Sequence, residues 1–594
     1  MLIQNHGGPS GAKPVDGVQG MNACLIAALA ALACFVPSHG FAATPLDTGV
    51  QEQQRQQQRD ELLRKQQQPS PDVRLQTPEQ PKASDRIPAS ETPCFPIQRI
   101  ELQGDEGGRF HWALEAAGHA SAHDADPVMG RCLGAQGINI VIGRVQNAII
   151  QRGYVTTRVM APPQNLAEGT LKLSVLPGRI RAIRLTADST TQRARLWNAL
   201  PVRAGDVLNL RDVEQGLENF ERLPTAQANI QIEPADGPDA KPGESDLVIR
   251  WTQERFFRVT ASVDDSGSKA TGKYQGNFTL SYDNWWTLND LFYASVGHDL
   301  GGGDPGSRGT DSQTLHYSLP FGYWLLSWNT SDSSYHQEVA GTNQTYTYSG
   351  KTSNSDIQLS RLFYRDAVNK ATLSIGGWLR SSSNYVDDTE VLVQRRQMAG
   401  WQLGLSHRAA WPTLTLDAKM AYRHGTGAMG AMPAPEEATS EGTSRPRLVT
   451  ANLQLARPFK LRDTAWRFTT ALRGQWNQTP LVPQDRFAIG GRYTVRGFDG
   501  ELTLAADRGW LIRNDLALAL GRSANEMYVA LDHGQVAGQS AQYLLGNKLT
   551  GAAIGLRGTV QRVGYDLFWG WPLYMPQGFQ TASSSGGFSL TWFY

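Results

Sequence analysis

From Arg255 to the carboxyl end, the chain alternates apolar and polar residues with a period of two. In the segment 257–263 every second residue, beginning with Phe257, is apolar, and the residues between them are polar. The segments 278–282 and 588–592 repeat this pattern. A strand with one apolar face and one polar face suits the wall of a transmembrane β-barrel, where one side meets lipid and the other meets a water-filled lumen.

The length of this region sets the size of the barrel. Beyond its first forty residues the chain has no apolar run of the roughly 18 residues that a transmembrane helix requires, so any membrane passage must use strands. About 16 antiparallel strands fit into 254–594 at roughly 20 residues each, which leaves a water-filled pore. We expect Trp285, Trp286 and Trp324 to contribute to an interfacial aromatic girdle. A soluble β-sandwich or propeller array is the alternative.

The amino-terminal segment has the pattern of an export signal. Ala23 to Val36 is an unbroken apolar run, and small residues follow up to Ala42. We therefore predict a signal peptide over 1–42, with a membrane anchor as the alternative. Its removal leaves Cys94 and Cys132 in an oxidising compartment, where we expect a disulfide that stabilises the fold by about 4 kcal/mol. Two buried free thiols are the alternative.

A polar helix and a linker are predicted next. Residues 43–68 contain many glutamines and charged residues, good helix formers, with few apolar residues. A helix that is polar on all sides needs water around it, either as a disordered arm or inside a hydrated channel. Residues 69–92 are rich in proline and polar residues and are predicted to be an extended linker.

Two copies of a small α/β module are predicted between the linker and the barrel. The order β-α-α-β-β occurs in 93–178 and again in 179–253, a period of about 80 residues. In each copy the second helix carries apolar residues on one face, for example Val141 and Val145 in the first and Val213 and Leu217 in the second.

Several motifs that suggest chemistry have simpler interpretations. The segments 267–274 (GSKATGKY) and 301–306 (GGGDPG) resemble phosphate-binding loops, but strand-like sequence surrounds them, so both are predicted to be loops between strands. His119 and His123 lack a third metal ligand and are expected in a solvated turn. We therefore predict no enzyme, no metal and no cofactor. The net charge of +1 argues against nucleic acid as a partner.

The glycine-rich stretch 487–501 (FAIGGRYTVRGFDGE) contains one arginine whose setting calls for an explanation. Glycines at 490, 491, 497 and 500 allow the loop to fold tightly with its backbone close to a wall. Arg496 offers a planar set of donors that suits a carboxylate. A surface hairpin is the alternative.

At this loop the chain closely resembles the outer-membrane transporters of two-partner secretion, the haemolysin and filamentous-haemagglutinin exporters. The resemblance covers the polar helix, the two modules, which correspond to POTRA domains, and the aromatic carboxyl end. It also includes the segments 317–324 (YSLPFGYW), 481–501 (LVPQDRFAIGGRYTVRGFDGE) and 528–534 (YVALDHG).

The resemblance implies roles for particular residues. Val495, Arg496, Gly497 and Phe498 would form the tip of an extracellular loop folded back into the barrel. Asp532 would pair with Arg496 as a latch. The aromatic residue of the family pattern is Tyr528 here, which lies further from Asp532 than the family's shorter spacing, so the residue that supports Asp532 stays open. The polar helix would plug the pore.

The resemblance also implies a function and a location. The chain would recognise an unfolded partner exoprotein (a haemolysin, an adhesin or a contact-dependent-inhibition toxin) in the periplasm of a Gram-negative bacterium and export it without ATP. It would contact outer-membrane lipid and lipopolysaccharide, and we expect a monomer. A barrel-assembly factor and a passive porin are the alternatives.

Overall fold

The computed structural model describes residues 45–68, 71–76, 86–121, 124–190, 193–521 and 523–594. The predicted signal peptide, His123 and part of the predicted linker lie outside these ranges. In the described part of the chain, no helix combines the length and the apolar character needed to cross a membrane.

The polar segment forms a helix, α1 (Pro45–Gln67), and this helix lies inside the barrel. Arg64 of α1 pairs with Asp356 on one side of the wall at 2.9 Å, and Glu61 pairs with Arg473 on another side at 3.4 Å. A helix of 23 residues is about 34 Å long, close to the roughly 30 Å of a bilayer's hydrocarbon core. Helix α1 therefore occupies the lumen over most of its length.

The first α/β module has a three-stranded sheet and a long helix over one face of it. The sheet order is β2-β7-β6, with β2 parallel to β7. The first of the two helices predicted for this module is a 3-10 helix, His111–Gly118, and it follows two glycines with positive φ, Gly107 and Gly108. The elements are β1 (Phe95–Pro96), β2 (Arg99–Gln103), β3 (His119–Ser121), β4 (Asp124–Ala125), β5 (Cys132–Leu133), α2 (Ala135–Gln151), β6 (Arg158–Met160) and β7 (Thr170–Leu176).

The disulfide between Cys94 and Cys132 is present, and it lies beside the small antiparallel pair formed by β1 and β5. Sequence periodicity missed this pair because each strand has only two residues. The bond ties the beginning of the module to the segment immediately before α2.

The second module repeats the order β-α-α-β-β. Its sheet order is β8-β10-β9, with β8 parallel to β10, and the apolar face of α4 packs on the sheet around the fully buried Trp251. The elements are β8 (Arg179–Leu185), α3 (Arg193–Ala199), α4 (Leu210–Glu221), β9 (Ala226–Pro234) and β10 (Glu244–Gln253).

The remaining chain forms a closed antiparallel barrel of 16 long strands, in which β11 pairs with β29 to complete the ring. Two-residue β18 (Thr389–Glu390) extends one hairpin, and β23 (Phe487–Ile489) and β24 (Leu504–Ala506) form a small hairpin between β22 and β25. The long strands are β11 (Phe257–Asp264), β12 (Gln275–Asp283), β13 (Leu291–Asp299), β14 (Arg308–Phe321), β15 (Trp324–Ala340), β16 (Thr345–Arg365), β17 (Asn369–Val386), β19 (Arg396–Trp411), β20 (Leu414–Thr426), β21 (Arg447–Leu461), β22 (Thr464–Asn477), β25 (Arg508–Ala519), β26 (Glu526–Ala537), β27 (Lys548–Val560), β28 (Val563–Tyr574) and β29 (Ser585–Phe593).

The alternation of apolar and polar residues in the sequence corresponds to the outer and lumen faces of the barrel wall. In β12 the side chains of Phe278, Leu280 and Tyr282 are exposed on the outer face, while Thr279 and Ser281 are buried on the lumen face. The fold prediction of a barrel of about 16 strands is therefore confirmed, and the closed ring excludes a sandwich or a propeller array.

The two loops that resemble phosphate-binding motifs lie between strands. Residues 267–274 lie between β11 and β12, and residues 301–306 lie between β13 and β14. Neither leads into a helix, so neither has the helix N-terminus on which phosphate binding depends. His119 lies in β3, with its ring Nδ1 3.0 Å from the backbone oxygen of Glu115.

Candidate functional site

The loop between β22 and β25 folds back into the lumen of the barrel. Its tip is buried: Val495, Arg496 and Phe498 are almost inaccessible to solvent. The tip lies against the lumen faces of β26, β27 and β28. The structure thus brings together all five residues assigned to the predicted latch.

Arg496 and Asp532 form a bidentate ion pair in this buried setting. Arg496 Nε donates to Asp532 Oδ2 at 2.7 Å, and Arg496 Nη2 donates to Asp532 Oδ1 at 2.7 Å. The backbone N–H of Arg496 also donates to Asp532 Oδ2 at 3.0 Å. A guanidinium that donates to both oxygens of one carboxylate forms a stronger and more directional contact than a single hydrogen bond does. Asp532 is fully buried, so its charge depends on these donors.

Three further charged residues extend this pair into a network. Arg496 Nη2 donates to Asp515 Oδ1 at 2.6 Å, and Arg557 Nη1 donates to Asp515 Oδ2 at 2.8 Å. Arg513 Nε lies 3.7 Å from Asp532 Oδ2. Sequence reasoning missed these residues, although Arg513 and Asp515 stand at lumen-facing positions of β25. Charges at such positions are the signal that would have found them.

Tyr528 supports the network from the side and does not contact the carboxylate of Asp532. Its hydroxyl donates to Asp566 at 3.0 Å, and its ring lies 4.5 Å from the guanidinium carbon of Arg557 and 5.8 Å from that of Arg496. Tyr528 faces the lumen four residues before Asp532, so the aromatic ring stacks near the arginines. The hydrogen-bond donors to Asp532 come from Arg496, and Arg513 adds a second positive charge nearby.

The apolar residues of the tip pack into a small core inside the lumen. Val495 and Phe498 pack with residues of β23, β24 and the adjacent wall, and the Phe498 ring meets Phe579 edge-on at 5.9 Å between centroids. Burial of two such side chains stabilises the folded-back loop by about 3 to 6 kcal/mol.

Glycines on both surfaces allow the loop tip to approach the wall. Gly497 has φ +99°, and a Cβ there would lie 2.4 Å from the backbone oxygen of Trp571. On the wall, a Cβ at Gly551 would lie 1.9 Å from the backbone oxygen of Arg496, and one at Gly570 would lie 2.8 Å from the Cα of Gly497. Gly497 is therefore required by conformation and by space, and the wall glycines form the surface on which the tip rests.

Helix α1 contacts both the folded-back loop and the barrel wall. Arg55 Nη2 donates to the backbone oxygen of Gly500 at 2.6 Å. Gly500 lies in the folded-back loop, two residues after Phe498 of its tip. Glu52 accepts from the hydroxyl of Thr271, in the loop between β11 and β12, at 3.0 Å. At the other end, Gln67 accepts from Ser281 of the wall at 2.9 Å. The helix is held by polar contacts, which water can replace at low cost.

Two groups of comparisons place the chain in a family. The family model described as haemolysin secretion/activation protein ShlB/FhaC/HecB matches residues 243–558. The chain belongs to the ShlB/FhaC/HecB family. A POTRA domain model of the ShlB type matches residues 95–178, and a second POTRA domain model matches residues 179–234. The two α/β modules are therefore POTRA 1 and POTRA 2.

Relatives of this ShlB/FhaC/HecB member cover three quarters of its length or more. It is 36% identical to the outer membrane transporter CdiB-2 of Burkholderia pseudomallei, over 93% of this chain and 94% of the relative. It is 26% identical to the hemolysin transporter protein ShlB of Serratia marcescens, over 75% of this chain and 76% of the relative. The solved structure of CdiB from Acinetobacter baumannii matches with a TM-score of 0.81 at 29% identity, covering 94% of this chain and all of that chain.

The family and the fold together establish the functional class of the protein and its location in the cell. It is an outer-membrane transporter of two-partner secretion, with its barrel in the outer membrane and its POTRA domains in the periplasm. Members of the ShlB/FhaC/HecB family are transporters, and the described residues contain no group of His, Cys, Asp and Glu that could hold a metal ion.

Proposed function

We propose that this transporter exports one large partner exoprotein, a haemolysin, an adhesin or a contact-dependent-inhibition toxin, from the periplasm to the cell surface or the medium. The similarity to transporters of both the CdiB and the haemolysin type supports this cargo class. The cargo enters unfolded, because the lumen of a 16-stranded barrel passes an extended chain and not a folded domain.

The observation that carries this proposal is that helix α1 and a folded-back loop both occupy the lumen of the barrel. Helix α1 fills the lumen through polar contacts, and the folded-back loop is held by the ion pair between Arg496 and Asp532. A passive porin has no need of a removable closure. We infer that the loop acts as a latch and α1 as a plug, and that both shift when cargo arrives.

The end strands of the POTRA sheets are the proposed cargo-binding sites. Each sheet has three strands, so β2 and β6 of POTRA 1 and β8 and β9 of POTRA 2 each have one side without a partner in their own sheet. An extended cargo segment adds to such an edge through backbone hydrogen bonds, which do not demand one sequence.

Transport in this proposal needs no ATP and no catalytic chemistry. The two loops that resemble nucleotide-binding motifs each connect barrel strands, so they offer no phosphate site. Folding of the cargo outside the cell supplies the driving force. The protein acts as a monomer, its outer face contacts lipid and lipopolysaccharide, and nucleic acid is not a partner.

Secretion of a co-expressed exoprotein tests the proposal. The full-length transporter is expressed in a Gram-negative host together with the exoprotein encoded beside it, and cargo is measured in the medium and in the periplasm. The variant Arg496→Ala is compared with the wild type and with Arg457→Ala, which removes an exposed arginine of the same barrel. We expect cargo in the medium with the wild type and the control, and a reduced amount with Arg496→Ala.

Other outcomes would replace the proposal. Cargo that leaves the cell equally well without the transporter contradicts export. Cargo retained in every strain, together with a loss of other outer-membrane proteins when the transporter is deleted, indicates barrel assembly instead. Heat-modifiability of each barrel on gels must first confirm that every variant has folded in the outer membrane.

A further inference from the structure

Trp197 of POTRA 2 is a large aromatic residue that the module does not bury. It lies in α3, whose neighbouring residues Asn198 and Ala199 are buried, yet 61% of Trp197 is exposed. Tryptophan combines an extensive apolar ring with one polar N–H group, and this combination is favoured where one side of a residue is apolar and the other is wet. The exposed ring therefore indicates a partner outside the module.

The ring lies against the outer face of the barrel. Trp197 meets Phe321 edge-on, with 5.1 Å between the ring centroids. Phe321 is the last residue of β14, and strand alternation puts it on the same face as the exposed Leu315, whereas Thr314 and His316 face the lumen. Trp197 thus stands on the lipid side of the wall.

Trp197 also stands at the periplasmic end of the barrel, where an aromatic belt begins. The turns 284–290 and 322–323 lie at the end from which the chain enters β11 out of POTRA 2. Aromatic residues are exposed around this end: Phe256, Phe257, Tyr282, Trp285, Trp286, Phe321 and Trp324. Rings of Tyr282 and Trp285 are in contact at 5.2 Å. Trp197 extends this belt from the barrel onto POTRA 2.

Hydrogen bonds fix the height of Trp197 relative to the barrel. Asn198 Nδ2 donates to the backbone oxygen of Pro320 at 3.1 Å, and the backbone N–H of Gly322 donates to the backbone oxygen of Asn198 at 2.7 Å. Asn289 Nδ2 donates to the backbone oxygen of Arg195 at 2.8 Å. Helix α3 is therefore attached to two periplasmic turns, and its tryptophan is already positioned before any partner binds.

We propose that Trp197 inserts into the headgroup region of the periplasmic leaflet and attaches POTRA 2 to the membrane that holds the barrel. Lipid surrounds the outer face of an outer-membrane barrel, and tryptophan is enriched at the depth where headgroups meet acyl chains. A ring that touches the lipid-facing Phe321 from outside lies within this layer of lipid. A soluble partner would have to displace lipid to reach it, so phospholipid is the occupant that the position favours.

Membrane attachment gives POTRA 2 a fixed orientation below the pore. The covalent connection from β10 to β11 is short, and α3 is held by the periplasmic turns. The indole adds a contact with lipid to these contacts within the chain. POTRA 2 then holds its sheet edges at a constant distance from the pore entrance.

Spin labelling of the exported chain, without residues 1–42, in vesicles of phosphatidylethanolamine and phosphatidylglycerol tests the proposal. Loss of the predicted signal peptide removes Cys24 and Cys34, and Cys94 and Cys132 form a disulfide, so Trp197→Cys supplies a reactive thiol. Accessibility of the label to oxygen, which partitions into lipid, is compared with accessibility to a water-soluble nickel chelate. Lys241→Cys in an exposed turn of POTRA 2 serves as the aqueous reference, and Leu326→Cys on the outer face of β15 serves as the lipid reference.

The ratio of the label's accessibility to oxygen over its accessibility to the nickel chelate shows whether lipid, water or cargo surrounds position 197. We expect the label at 197 to resemble the lipid reference more than the aqueous one. A ratio equal to that of Lys241→Cys overturns the proposal. If the nickel chelate is excluded from the label only after an unfolded exoprotein is added, then cargo covers this surface. That result also overturns the proposal.

A second measurement avoids the label. The fluorescence of the wild type minus that of Trp197→Phe isolates the signal of the native indole. We expect brominated phospholipids to quench this difference, and acrylamide in the water to quench it weakly. Strong quenching by acrylamide with none by brominated lipid contradicts membrane insertion.

Discussion

Removal of the Arg496 side chain is the perturbation that most directly tests the latch. In Arg496→Ala, Asp532 loses both side-chain donors that hold its carboxylate at 2.7 Å, while the backbone donor at 3.0 Å remains. Asp532 is fully buried, and the guanidinium of Arg513, at 3.7 Å, is the cation that remains beside it. The variant therefore leaves a carboxylate inside the lumen with reduced compensation.

The structure sets the expected size of the effect. Removing one partner of a buried ion pair costs about 3 to 5 kcal/mol, whereas an exposed pair contributes about 0 to 1 kcal/mol. Because Arg513 offsets part of the loss, we expect about 3 kcal/mol of destabilisation. Asp532→Asn costs less, since Arg496 keeps its bond to Asp515. In the double variant, the coupling energy between Arg496 and Asp532 should be about 1 to 3 kcal/mol.

The assay is guanidinium denaturation of the barrel refolded in phospholipid vesicles, followed by tryptophan fluorescence. The free energies of unfolding of the wild type, both single variants and the double variant form one cycle. The exposed Arg457→Ala should change stability by less than about 0.5 kcal/mol. A coupling energy near zero would refute the reasoning, because it would mean that the loop is held by its apolar tip and not by the ion pair.

Three further predictions concern the loop tip and the POTRA domains. Gly497→Ala should destabilise the folded-back loop by more than about 1 kcal/mol in the same denaturation assay, because of its positive φ and its contact with the wall. Replacing Cys94 and Cys132 by serine should destabilise POTRA 1 by about 4 kcal/mol, measured as faster proteolysis within 95–178. The hydrogen bond and charge of Arg181 hold the pKa of Asp246 below its ordinary value. Asp246 therefore stabilises POTRA 2 above about pH 4, and this contribution is lost as the pH falls through its folded-state pKa, so Asp246→Asn should lower amide-exchange protection more at pH 7 than at pH 3.

Each of these predictions has a matched control in the chain. Gly521 also has a positive φ, but a Cβ there would meet only open space. Gly521→Ala should therefore destabilise the barrel less than Gly497→Ala does. Proteolysis of the barrel should be unaffected by loss of the disulfide. Asp236→Asn removes an exposed carboxylate near Arg181 and should leave exchange protection unchanged at both pH values. Equal effects of control and test variant would contradict the explanation in each case.

The sequence by itself determined the fold class, the number of strands and the two α/β modules. Strands with one lipid face and one lumen face alternate visibly along the chain, as Phe278 to Tyr282 illustrate, and a helix without an apolar face can only lie in water. These are local properties, because each depends on residues close together in sequence. The first helix of POTRA 1 was predicted from the sequence, but its 3-10 geometry was not.

The resemblance to exporters of two-partner secretion supplied Asp532 as the partner of Arg496, which local pattern alone did not give. Only the tertiary structure placed Asp515, Arg513 and Arg557 around this pair, since the three come from β25 and β27, which flank β26 in the barrel wall. It also decided that Trp197, which looks like an ordinary helix residue in the sequence, stands beside Phe321 on the lipid face. These contacts join residues 19 and 42 positions apart around Asp515, and residues still further apart at Trp197. Such contacts leave no periodic trace in a single sequence, and they become definite only in the folded chain.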